Sequence, residues 1–431
     1  MTRTVLRGAR VPGDVAIRDG VVVAVGDIEA EPGDTVVRVD GDIITAGFIN
    51  SHHHLYQWMT RGRAVNCNLF DWLTTLYPVW GQLRLEDIHL AAKVGLAELA
   101  LSGCTTVFDH NYLVPNGDDR VFDEIVRASE IVGTRLHLAR GSMDLGESDG
   151  GLPPDNVVED RDQILESTKS LVDRTAANEL VDIVVAPCSP FSVTQELMIE
   201  SAALARSLGI RLHTHLAETT EETEDCLERF GARPVQLLDE WGWVADDVWV
   251  AHGIHFNDRE VKLLGERGMG VAHCPSSNAR LAAGTCRVTD LEAAGVAVGL
   301  GVDGVASNEM GRLFPELRQA TYAARLRAGD PTVFGSQDAL RLATVGGARC
   351  LGRPELGELK VGAPGDLAVW RGDDLGDFPD PLDAFALGPD RRPRHVLVAG
   401  RFIVQDGEVQ GLDVGRAYED LAVASRRLWD T

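Results

Sequence analysis

Lysine is nearly absent from this chain. Of 41 basic residues only four are lysine (Lys93, Lys169, Lys262 and Lys360), so 37 are arginine. Basic charge is scarce as well: 66 acidic residues leave a net charge of -25 over 431 residues. A nucleic-acid binder needs a basic stripe along the phosphates, and a polybasic membrane-surface protein needs a similar cluster; this balance excludes both. The skew has two readings, a GC-rich coding genome and a salt-adapted surface, and neither bears on fold. Cysteines are few and scattered. The seven (Cys67, Cys104, Cys188, Cys226, Cys274, Cys286 and Cys350) form no CxxC, a pattern of reduced thiols rather than a disulfide framework or a cysteine zinc site. No run approaches the ~18 apolar residues of a membrane span, and the first residues lack a signal-peptide core. The expected location is the cytoplasm.

Apolar mass is present in quantity. With 44% hydrophobic residues the chain can bury a large core, enough for a single α/β barrel with an appendage or for two to three ordinary domains. The start reads as short strands at 14–20, 21–25 and 35–39, punctuated by Gly and Asp. The end repeats that style at 366–370, 395–398 and 401–405, with a loop expected over 373–393 and a helix over 415–429. The middle alternates. Strand candidates lie at 47–54, 105–112, 135–143, 181–190, 211–218, 248–255, 270–278 and 297–305. Helical patterns between them include 85–101, 118–132, 195–208, 258–267 and 311–326. Eight strands alternating with helices predict an α/β fold of the (β/α)8 TIM barrel type over 46–361.

Active sites of such barrels sit at the C-terminal ends of the strands, and polar residues gather there. Strand one ends in His52, His53 and His54, strand two in Asp109, His110 and Asn111, and strand three in Arg140 and Ser142. Strand five carries His213, His215 and Glu218; strand six His252 and His255; strand seven His273 and Asn278; strand eight Asp303. Ten of the twelve histidines fall in the eight strand segments. His52 and His54, two apart, share one face of a strand, while His53 points the other way and is structural. With His215 and Asp303 from strands five and eight, three histidines and a carboxylate can hold zinc and leave a position for water. A G-x-G-x-x-G match at Gly299, Gly301 and Gly304 is a decoy, because it ends the eighth strand instead of opening a βαβ unit.

These pieces resemble the amidohydrolase superfamily over the whole length. The signature segments stand at 46–54, 213–218, 250–255 and 301–304, with a typical tail piece at 357–368. The likeness is nearest to the deaminase and s-triazine hydrolase branch, and within it to 8-oxoguanine deaminases, on segments 52–57, 69–80, 140–143, 150–153, 186–192 and 274–278. The resemblance implies that residues 1–45 and 362–431 form a composite β-sandwich domain beside the barrel, with the C-terminal helix attached. Some members hold two metals bridged by a carboxylated lysine on strand four; none stands at 181–190 here. One divalent ion per subunit is therefore expected, Zn2+ first and Fe2+ as the alternative.

The implied reaction is hydrolytic deamination of a purine-like ring, 8-oxoguanine to urate and ammonia. Guanine, isocytosine or another pyrimidine, and an s-triazine of the hydroxyatrazine type are the other candidate substrates. Asp303 is expected to accept the proton of the attacking water, His252 to orient that water, and Glu218 to protonate a ring nitrogen. Gln57 stands where related guanine deaminases bind substrate, and a side-chain amide offers a donor and an acceptor together. Arg140 could hold a substrate carbonyl or form a structural salt bridge. His110, Tyr112, Cys188 and Asn308 are further pocket candidates. The aromatic segment 56–80 suits either stacking on a flat heterocycle or plain packing at a core or subunit interface. A silent scaffold on the same barrel would lack ligands, and a nucleic-acid deaminase would not carry this charge. The expected partners are a small heterocycle and water, no nucleic acid and no membrane, in a homo-oligomer.

Overall fold

The computed structural model describes residues 3–373, 375 and 378–429; the outermost residues of the two expected end segments lie outside that range. Five strands precede the barrel: β1 (Thr4–Arg7), β2 (Asp14–Arg18), β3 (Val21–Gly26), β4 (Thr35–Arg38) and β5 (Ile43–Ala46). The barrel strands are β6 (Phe48–Asn50), β7 (Cys104–Asn111), β8 (Arg135–Ser142), β9 (Val181–Pro187), β10 (Arg211–Leu216), β11 (Val248–His252), β12 (Gly270–His273) and β13 (Ala297–Leu300). Four more follow: β14 (Leu367–Trp370), β15 (Pro393–Val398), β16 (Arg401–Gln405) and β17 (Glu408–Val409).

The eight strands close in chain order, β13 returning to β6, and all eight neighbouring pairs are parallel. β7 and β8 are buried at all eight positions, as parallel strands covered on both faces require. One face fills the barrel, where Phe108, Ala139, Val184, Ala186, Trp249 and Ala272 form an inner cluster. The helices begin and end on local signals. Asn257 and Glu260 make a capping box at the start of the helix Asp258–Arg267, and Gly268, at φ 74°, stops it. This matches the α/β barrel expected from the alternating pattern.

Outside the barrel, β3, β2, β1 and β4 form one sheet, while β17, β16, β15, β14 and β5 form another. Leu6, Val15 and Ile17 of the first share a buried cluster with Ile44, Leu367, Val369 and Leu397 of the second. β5 runs antiparallel to β14 and leads directly into β6. The expected loop at 373–393 requires correction, since a helix spans Pro381–Leu387. Asp380 caps it through the Leu382 N–H, and Pro381 at the first position preorganises the turn; this proline starts a helix instead of breaking one. Among the described residues no helix is long and apolar enough to cross a membrane.

Candidate metal centre and active site

Closure of the barrel brings the two ends of the motif together. Leu300 of β13 faces Asn50 of β6. Past those strand ends the Val302 N–H donates to Asn50 Oδ1 at 3.0 Å, and the Asp303 N–H donates to the His52 carbonyl at 3.1 Å. Asp303 thereby reaches the histidines. His54 Nε2 lies 3.1 Å from His215 Nε2 and 3.2 Å from Asp303 Oδ1; His52 Nε2 lies 3.4 Å from the same oxygen.

The second nitrogen of each ring is already committed. His54 Nδ1 donates to the His110 carbonyl at 2.7 Å, His215 Nδ1 donates to the Cys188 carbonyl at 2.6 Å, and His52 Nδ1 is 3.0 Å from His213 Nε2. Among the described residues His52 Nε2 is buried with no hydrogen-bond partner. Burial lowers the His52 pKa to about 3 and that of His215 well below its usual value. Neutral rings with Nδ1 protonated aim their Nε2 lone pairs at one another and at a carboxylate, and such a set repels itself unless a cation lies among them. The donors therefore fit a divalent metal ion, and the Nδ1 partners are of the kind that orient ligating imidazoles.

Asp303 is held on both oxygens. Oδ2 accepts from Ser277 Oγ at 2.6 Å and from Ser307 Oγ at 3.2 Å, and Oδ1 accepts from the Gly304 N–H at 2.7 Å. Burial alone would raise its pKa, but His52, His54 and His252 outweigh burial and hold the carboxyl well below the usual range. Opposite lie Glu218 and His252, with His252 Nε2 3.6 Å from Glu218 Oε2. His252 Nδ1 is 2.9 Å from Asn278 Oδ1, to which it donates. Burial raises the Glu218 pKa against the pull of His252. It opposes charge on His252, yet Glu218, Asp303 and Asn278 overcome it and raise the imidazole's pKa.

Three residues of this rim have left-handed backbone without being glycine: Ala217 (φ 52°), His252 (74°) and Asp303 (59°). Each such residue costs roughly 1–3 kcal/mol, which surrounding bonds must offset. At Ala217 the bonds are visible. Glu222, in the first turn of the helix Thr220–Phe230, accepts the Ala217 N–H at 2.9 Å and the Glu218 N–H at 2.8 Å. Burial pushes the Glu222 carboxyl up to about 7.

A cavity opens over the centre, lined by His54, His215, Glu218, His252 and Asp303 on one side. Gln57, Tyr112, Cys188, Leu69, Trp72, Tyr77 and Phe191 line it elsewhere. Gln57, Tyr112 and Cys188 thus lie where a substrate would touch them. Gln57 Oε1 already accepts the Ala306 N–H at 3.3 Å. A Cβ on Gly304 would fall 1.8 Å from that oxygen, so any side chain there would displace the Gln57 amide. The Cys188 thiol, pushed up to about 12 by burial, is a neutral wall group. The aromatic segment divides between cavity wall and core. Trp72 and Tyr77 line the cavity, while Trp58 and Trp80 pack in the core.

Three pocket candidates fall elsewhere. Arg140 follows Ala139, which faces the barrel interior, so alternation turns its side chain outward. There it is bidentate to Glu159 at 2.7 and 2.9 Å and lies over the Phe122 ring. His110 sits beneath the metal histidines, stacked on His215 at 4.8 Å, with Nε2 donating to the Ala186 carbonyl. Asn308 donates to the Val302 carbonyl and to Glu316, bracing the loop after β13. None of the three lines the cavity. Sequence reasoning assigned no role to Ser277, Ser307, Glu222 or His213. Only the pairing of His213 with His215 at strand spacing signalled one of them.

Residues 43–403 match the model of the amidohydrolase family. The chain is 47% identical to the 8-oxoguanine deaminase of Pseudomonas aeruginosa over 417 residues, 94% of this chain and 93% of that one. It is 35% identical to a hydroxydechloroatrazine ethylaminohydrolase from a Pseudomonas species, over 95% of this chain and 89% of the relative. An atrazine chlorohydrolase from Arthrobacter aurescens, whose crystal structure contains zinc, superimposes with a TM-score of 0.91 at 30% identity, covering 99% of this chain and all of that one.

Proposed function

The chain belongs to the amidohydrolase family, and from that membership we propose that it hydrolyses 8-oxoguanine to urate and ammonia with Zn2+ as its ion. It is a hydrolase of C–N bonds, and the reaction class rests on one observation: three imidazoles and a carboxylate converge on one point while Glu218 and His252 face it across the cavity. The choice of substrate rests on the likeness to the Pseudomonas aeruginosa enzyme.

His52, His54, His215 and Asp303 would hold the ion. A zinc ion there would supply Lewis acidity, lowering the pKa of a water to about 7. Asp303 takes the proton of the attacking water, its oxygens fixed by Ser277, Ser307 and the Gly304 N–H. His252, steered by Asn278, orients that water toward the ring carbon bearing the amine. Glu218, whose buried carboxyl keeps its proton above the usual pH range, gives it to the adjacent ring nitrogen. The proton collected at Asp303 leaves on the amine, and as the tetrahedral carbon collapses with loss of ammonia its hydroxyl proton passes to Glu218, which restores that carboxyl. Gln57, which lines the cavity, donates its amide N–H to a ring carbonyl, and Trp72 and Tyr77 wall the cavity against water. The same proposal includes a cytoplasmic location, a homo-oligomer, and residues 1–45 with 362–431 as one composite domain beside a 46–361 barrel.

The test is ammonia release and urate absorbance from metal-loaded enzyme given 8-oxoguanine, with guanine, isocytosine and hydroxyatrazine in parallel. The highest kcat/KM is expected on 8-oxoguanine. Fast turnover of guanine or the triazine with none of 8-oxoguanine would overturn the substrate.

A further inference from the structure

Of the three imidazoles at the metal centre, two are aimed by backbone carbonyls, of His110 and Cys188. His52 alone is aimed by a side chain, through the contact of its Nδ1 with His213 Nε2 at 3.0 Å. His213 is completely buried, and its own Nδ1 is 2.9 Å from the Trp249 carbonyl. A carbonyl only accepts, so His213 Nδ1 carries hydrogen. A doubly protonated ring here would be a buried cation, and no carboxylate is among its bonded partners. His213 Nε2 is then a lone pair, which makes His52 Nδ1 the donor and leaves the His52 Nε2 lone pair facing Asp303.

The anchor of this relay is itself fixed. Trp249 packs on His213 at 4.6 Å between ring centres, and its indole N–H donates to the Ser51 carbonyl at 3.1 Å, next to His52 in the chain. Phe108 closes the other side of His213 at 4.5 Å.

We infer that His213 is a positioning residue for metal binding, a relay from the Trp249 carbonyl that fixes the tautomer and rotation of His52. Without its acceptor, the His52 N–H would be a buried orphan, and the ring would no longer present one nitrogen to the ion. The inference rests on His52 being a ligand, as proposed above.

The test is Zn2+ affinity of the stripped protein, measured by competition with a chromophoric chelator. His213→Leu is expected to weaken binding ~10–100-fold, and His213→Gln, whose amide oxygen can accept near the lost Nε2, to restore most of it. Wild-type affinity in both variants, with only the apoprotein melting temperature lowered, would make His213 core packing and overturn the relay. His52→Ala separates the two readings, since undiminished affinity there removes the ligand assignment itself. Should His213→Leu not fold, the histidine 15N shifts of the wild-type zinc-loaded protein decide. Protonation at Nδ1 of His213 is expected, and protonation at its Nε2 overturns the proposal.

Discussion

Glu218 and Arg140 look alike from the chain, each a charged residue at a strand end, and they end in opposite places. Glu218 faces the cavity because Ala217 takes a left-handed turn before it. Arg140 sits at an outward position of β8, where Glu159 and Phe122 are waiting. The histidine set was legible because H-x-H spacing puts two rings on one side of an extended segment, even though β6 itself ends at Asn50. Arg140 was not legible, because the outward facing of β8 at that position is visible only once its interior residues, such as Ala139, are known. Asn308 carried no such signal, since its partner Glu316 stands on a helix that begins beyond the loop. For Glu218 the expectation is direct. Glu218→Gln keeps the shape but has no proton to give, so kcat should fall 10²–10⁴-fold with metal content unchanged. The alkaline limb of the wild-type pH profile, lying above the ordinary glutamate range, should vanish in that variant. Steady-state rates across pH with metal analysis check both.

Whole elements were easier to read than their edges. All eight barrel strands lie inside their expected segments apart from a one-residue start at Cys104, yet β6 ends at Asn50 and β10 at Leu216, before His52, His54 and Glu218. The ladder stops where the backbone turns to present side chains, and left-handed turns at Ala217, His252 and Asp303 have no glycine to announce them. The helix Thr220–Phe230 shows what holds such a turn. Its Thr219-x-x-Glu222 start reads as an ordinary capping box, but Glu222 reaches past the cap to two N–H groups of the catalytic turn. Glu222→Ala should therefore cost about 1–3 kcal/mol for the stranded donors, read from urea midpoints. It should also lower kcat more than it raises KM, because the displaced group is Glu218.

For the molecule as a whole, the buried histidines set the acid limit. Burial lowers the pKa of His137 to about 4 and that of His273 to about 3, from 6.5. Folded pKa values below the unfolded one mean that the unfolded chain binds more protons under pH 6.5. Each such group then contributes stability that is present above pH 6.5 and lost as pH falls toward 3 or 4, at up to ~1.4 kcal/mol per pH unit per proton. Asp109, Glu222 and Glu316, pushed up to about 7 by burial, act in the opposite sense between about pH 4 and 7. A single variant isolates one group. His273, buried with neither nitrogen bonded among the described residues, is the clearest. Between pH 6.5 and 5, His273→Leu should lose less stability than wild type; equal urea-midpoint slopes would refute the neutral assignment.

The pairing of β13 with β6 also sets a schedule for synthesis. His53 and Asp303 are 250 residues apart, so at ~5–20 residues per second a ribosome needs roughly 10–50 s to pass from the first ligands to the last. During that interval the nascent chain offers His52 and His54 without their carboxylate, on a curved sheet with two open edges. β14, the partner of β5, emerges later still, and the Ser425 hydroxyl that bonds the Met59 carbonyl arrives nearly at the end. On the proposed assignment, the ligands that appear first must therefore wait for most of the chain before they can discriminate among metal ions.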